Sequence, residues 1–170
     1  MIHRALLLAI REQLTPADHH THRRYGFSVP EGCAALHVEV HYSPKRLPED
    51  ESHALAQSVL ERQASAVSRL VGQAAAQQWT RDFAKYAANV RIPNLLTVSI
   101  DDSAGQYRGA GHRQAPDQQL VITSDAASPG LVAGPLPAGG WLLTLTAHSV
   151  VSPQCEVSIQ IGAEIVSGVP

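Results

Sequence analysis

The chain has 170 residues, a formal net charge of −2 and an isoelectric point near 6.5. With 44% hydrophobic and 16% charged residues, it has the composition of a globular chain long enough to bury a core, not of a disordered one. Its basic residues are scattered, as in Arg23-Arg24 and Lys45-Arg46, so no nucleic-acid-binding face is expected, and no run approaches the roughly 20 apolar residues of a membrane span.

At the N-terminus the apolar run Ala5–Ile10 is shorter than a signal-peptide core and is followed by Arg11 and Glu12 without a small-residue cleavage site. A soluble, cytoplasmic protein is expected. Leu6–Leu14 reads as a first strand, ended by Thr15-Pro16-Ala17-Asp18. Tyr25–Val29 reads as a short second strand, stopped by the turn Pro30-Glu31-Gly32. Ala35–Tyr42 alternates strictly: Leu36, Val38 and Val40 point one way, and His37, Glu39 and His41 the other. That period predicts a strand with one buried and one wet face.

The pattern then becomes helical. Pro48-Glu49-Asp50-Glu51 places proline and three acids at a helix start, where the dipole favours negative charge. From Ser52 to about Ala88 the chain is rich in Ala, Gln, Leu, Arg and Glu. Leu55, Val59, Ala66, Leu70 and Ala74 recur at helical spacing, and Trp79, Phe83 and Tyr86 form a second stripe. Gly72 is a candidate break, so the segment is one long helix or two shorter ones; Ile92-Pro93-Asn94 closes it.

Strand patterning returns at Leu95–Ile100 and Gln118–Thr123, with Tyr107–Ala115 a polar loop or irregular edge strand. The segment Gly134–Gly140 holds two prolines and three glycines and must turn. Gly140–His148 and Gln154–Ile161 are expected to pair antiparallel through Val150-Val151-Ser152-Pro153, with Cys155, Val157, Ile159 and Ile161 on one face. Cys33 and Cys155 each open a strand; if those strands run antiparallel, the thiols lie at opposite ends and stay free. The fold class is therefore mainly β: an antiparallel jelly-roll-like β-sandwich of about seven or eight strands, a single domain with a helical insertion over about 48–92.

Leu14-Thr15-Pro16-Ala17-Asp18, Tyr25-Gly26-Phe27-Ser28-Val29-Pro30-Glu31-Gly32 and Leu36–Tyr42, then Asn94–Asp102, Gly105–Gly109 and Pro129–Trp141, follow one another in an order that resembles the N-terminal β-sandwich domain of carbaryl-hydrolase-like PHP metallohydrolases. The resemblance covers most of the chain outside about Lys45–Arg91. In that family the sandwich precedes a catalytic domain that carries the metal ligands. It implies a non-catalytic module here and transfers no functional residue.

The strongest metal-type pattern is Asp18-His19-His20-Thr21-His22. A His20-x-His22 pair on a strand puts both rings on one face, where with Asp18 they can hold zinc or a similar divalent ion; the competing reading is a solvated polar loop. His37 and His41 share a face with Glu39, either a ligand-binding face or a wet one. Asp101-Asp102-x-x-Gly105 lacks the further acids and terminal Glu of a calcium loop. Gly105–Gly111 lacks the Gly-Lys-Ser/Thr of a phosphate loop. Ser124, Ser128 and Ser149 have no nucleophile-elbow context.

On the helical segment, Leu55, Val59 and Leu70 offer a surface for a protein partner or a homo-oligomer; the alternative is packing over an open end or face of the sandwich. The expected function is a non-catalytic binding or assembly module without cofactor, possible as an accessory subunit to a separately encoded PHP-type hydrolase. The alternative is a metal-dependent hydrolase using Asp18, His20 and His22.

Overall fold

Alternating apolar residues give strands wherever they can pair, and pairing extends most of them beyond the sequence pattern. The computed structural model describes residues 2–87 and 89–166; the side chain of Tyr86 and the expected helix end at Ala88 lie outside the described residues. In chain order the elements are β1 (Ile2–Leu14), β2 (Thr21–Val29), β3 (Cys33–Ser43), α1 (Glu49–Val71), α2 (Gln73–Ala87), β4 (Leu95–Asp101), β5 (Tyr107–Ala110), β6 (Asp117–Thr123), β7 (Gly139–Ser149) and β8 (Cys155–Val166). The strands make two antiparallel sheets, ordered β1-β8-β3-β6 and β2-β7-β4-β5.

β1 starts at Ile2, earlier than its apolar run, because Ile2–Leu6 pair with Val166–Gly162. β2 likewise starts at Thr21, opposite Ala147. The expected pairing of β7 with β8 is not found. β7 lies between β2 and β4, and β8 between β1 and β3. The reason lies in the connection: Val150 and Ser152 are each 2% exposed, so Val150–Gln154 passes from one sheet to the other instead of turning at the surface.

Both sheets contribute to one core. Leu36, Val38, Val40 and Tyr42 of β3 and Cys155, Val157, Ile159 and Ile161 of β8 share it with Trp141, Leu143 and Leu145 of β7 and Leu96, Val98 and Ile100 of β4. Cys33 pairs with Ile165 and Cys155 with Leu14, at opposite ends of β8, and both thiols are free. Burial pushes the Cys155 thiol up to about 11.

Two buried polar groups fix the loops of this two-sheet body. Arg108 donates to the carbonyls of Val132 (3.2 and 3.1 Å), Gly134 (3.1 Å) and Pro135 (2.8 Å), and its guanidinium lies 5.3 Å from the Trp141 ring centroid. Asp102 accepts from the amides of Ala104 and Gln106 at 2.9 Å, and its other oxygen is 3.5 Å from Arg108. The Gly/Pro-rich turn is thus ordered by a buried cation that collects its carbonyl oxygens, meeting the rule that buried charge must be paired. Gly109 (φ +105°) makes the close approach possible, since a Cβ there would sit 2.2 Å from the Gly130 oxygen.

The second group is Asn94, fully buried. Its Nδ2 donates to the Pro44 carbonyl (2.8 Å) and to Ser152 Oγ, and its Oδ1 accepts from the amides of Val151 (2.8 Å) and Ser152 (3.3 Å). Its own amide donates to Lys45 O at 2.9 Å. The places where the body's chain leaves for the helices and returns are therefore hydrogen-bonded to each other.

Arg46–Pro93 is a separate compact unit. Its ends meet through an Arg46–Pro93 bridge and a Leu47 amide to Ile92 carbonyl bond of 3.0 Å. Gly72 (φ 83°) breaks the helical segment in two, as its lack of a Cβ permits. The line that packs is Ser52, Ala56 and Leu60, with Ala87, Trp79, Phe83 and Ile92. Trp79 and Phe83 stack at 5.5 Å. Leu55 and Val59 lie one helix position away from that line and Leu70 lies five turns beyond Ser52 on it; all three stay outside the packed cluster.

Candidate functional site

Three places hold the residues singled out in the sequence. At the first, Asp18 closes a short turn, Pro16–Asp18. Its carboxylate accepts from the Thr15 amide at 2.8 Å and hydroxyl at 3.2 Å, and from Arg23 at 2.6 Å. The Thr15 amide, and then Arg23, hold the carboxyl below its ordinary range. Arg23 also pairs with Glu12, which accepts from Tyr25 Oη at 2.8 Å. Asp18 is thereby committed to a chain of polar contacts tying β1 to β2.

His20 and His22 are not the expected pair on one strand. His20 precedes β2 with φ 59°, and its ring centroid lies 3.9 Å from that of His19. His22 is on β2, its Nδ1 2.9 Å from Thr146 Oγ1. His148, a histidine that the sequence alone does not place, is on β7, its Nε2 2.8 Å from Thr97 Oγ1. Partial burial lowers its pKa, and Arg113, His22 and His20 push the same way. Outward alternation along Thr144, Thr146 and His148 was readable; that β7 lies beside β2 was not. Among the described residues, no three His, Cys, Asp or Glu side chains are placed to hold a metal ion together.

The second place is the outer face of the β1-β8-β3-β6 sheet. The register sets Glu39 between Gln119 and Gln160, and His41 between Asp117 and Ser158. His41 Nδ1 pairs with Asp117. His37 Nε2 is buried and 3.3 Å from Glu164 Oε1, without the alignment of a hydrogen bond. Arg4 donates twice to the same oxygen, at 3.0 and 2.6 Å, and is the main cause of the lowered Glu164 pKa. The face is a shallow hollow of about 500 Å³ over Glu39, His41, Asp117 and their neighbours. Its charges are largely matched by one another.

The third place is the helical unit. Leu55 is half-buried, Val59 is 37% exposed, Leu70 is 84% exposed and Val71 beside it 56%. Leu70 is the most exposed large apolar side chain among the described residues, ahead of Ile2 and Leu6 at 65% each, and burial of such side chains is what stabilises helices in water. No helix is long and apolar enough to cross a membrane among the described residues. No protein-family model matches the chain, and no curated protein matches it.

Proposed function

We propose that this chain is a non-catalytic, jelly-roll-like β-sandwich that serves as a cytoplasmic binding or assembly module, with the helical hairpin Arg46–Pro93 as its contact element. The jelly-roll reading is supported by the pairings β1·β8, β2·β7, β3·β6 and β4·β5. These are the pairs made when one long antiparallel hairpin is rolled over on itself. The observation that carries the functional reading is the exposure of Leu70, Val71 and Val59 on a unit whose buried cluster, among the described residues, is Ala56, Leu60 and Ala87 with Trp79, Phe83 and Ile92 partly buried against it. A hairpin of that kind gains most by covering its apolar residues with a partner. The partner suggested by the family resemblance is a separately encoded PHP-type metallohydrolase.

The test is a photo-crosslinker placed at Leu70 and, as a control, at Ser28 on the outer face of β2. Specific adducts from Leu70 alone, with the hydrolase among them, are the expected result. Equal labelling from both positions would contradict the assignment. The hydrolase alternative rests on Asp18, His20 and His22, of which Asp18 is already bonded to Thr15 and Arg23. Stoichiometric zinc in untagged protein, with an esterase or phosphoesterase activity lost in His20→Ala, would replace the module reading.

A further inference from the structure

Resting on that reading, we infer that α1 also docks a second copy of this chain, antiparallel along the flank formed by Glu51, Leu55, Val59, Arg62, Ala66 and Arg69, a different side of the helix from Leu70. These residues recur at three- and four-residue spacing, so they share one side of the helix. They are offset by one position from Ser52, Ala56 and Leu60, the line that packs within the hairpin. Glu51, Val59, Arg62 and Arg69 are exposed, and Leu55 and Ala66 are half-buried.

The flank is complementary to itself when reversed. A two-fold axis crossing α1 near Leu60 and Glu61 sets Leu55 of one copy against Ala66 of the other, a large side chain against a small one. The same axis brings Glu51 beside Arg69 of the second copy and lays the Arg62 stem over Val59. Each contact occurs twice, as an isologous interface requires. A parallel arrangement would instead oppose Glu51 to Glu51 and Arg69 to Arg69. Acid near the start of α1 and base near its end thus select the antiparallel pair.

Sedimentation of the full chain tests this. A dimer is expected at about 100 µM, weakened about tenfold by Glu51→Arg or by Arg69→Glu, because each change acts twice. The double variant Glu51→Arg/Arg69→Glu restores it, a rescue that a purely structural role would not give. Val59→Glu removes the dimer while the helix signal in circular dichroism stays. A monomer at that concentration, or a dimer indifferent to both single reversals, overturns the second-copy assignment. If the chain is monomeric yet Leu70 still crosslinks specifically to another protein, only this inference fails. If neither is seen, the assembly reading fails with it.

Discussion

The two-sheet body and the helical hairpin are built on opposite terms. In the body, residues from both sheets close on one core, and even the irregular segments are held, by Arg108 on one side and Asn94 on the other. In the hairpin, among the described residues, Ala56, Leu60 and Ala87 make the buried cluster, the Trp79 and Phe83 rings are only partly buried, and Leu70 and Val71 face solvent. The body closes its own core, although Ile2 and Leu6 on its first strand stay 65% exposed. A hairpin that leaves apolar surface uncovered has need of something else.

The contrast can be measured because each unit carries its own tryptophan, Trp141 in the body and Trp79 in the hairpin. Arg108→Ala should have the largest effect, about 3–5 kcal/mol on body stability, since it strands Asp102 and frees a set of buried carbonyls. Urea unfolding followed by Trp141 in a Trp79→Phe background reads it. Asn94→Ala should cost about 2 kcal/mol by the same readout, through the unpaired amides of Val151 and Ser152. If that change altered the helix signal in circular dichroism more than the Trp141 signal, the division between units would be misdrawn. Leu60→Ala should cost the hairpin about 2 kcal/mol, the low end for a core leucine, because its cluster is small. Loss of helix signal without a change at Trp141 is the expected result.

The smallest effect is one of pH. His148 has a folded-state pKa below its ordinary value, chiefly from burial. The unfolded chain therefore binds its proton first, so this contribution to stability is complete above about pH 6.5 and is lost as pH falls below it. In His148→Gln the slope of body stability between about pH 5 and 6.5 should flatten. An unchanged slope would move the responsible group elsewhere.

Local chemistry accounts for what the sequence made legible. Strict alternation at Leu36–His41 and Cys155–Ile161 placed β3 and β8 with the correct inward faces, and Gly72 marked the helix break. Pairing partners were not legible, because they are decided by contacts between segments far apart in the chain. The assignment of β7 to β8 followed their closeness in sequence, whereas the burial of Val150 and Ser152 sends the chain across to the other sheet. His148 could not be placed for the same reason, since only the β2·β7 register relates it to His22. Arg108 looked like one more loop arginine; its importance appears only once the carbonyls of Val132, Gly134 and Pro135 converge on it. On the hairpin the apolar stripe was found, but the smaller residues Ser52 and Ala56 took the packing line beside Leu60.

The most direct measurement replaces Arg46–Pro93 by a short glycine turn, across the Lys45–Asn94 bond of 2.9 Å that already joins the two strands' ends, and compares solution mass and unfolding with the full chain. A shortened protein that is monomeric and unfolds cooperatively, with Trp141 buried as before, is the expected outcome beside a full chain that self-associates. A shortened protein that fails to fold, or that keeps the full chain's oligomeric state, would contradict a self-sufficient body carrying its assembly element as a hairpin.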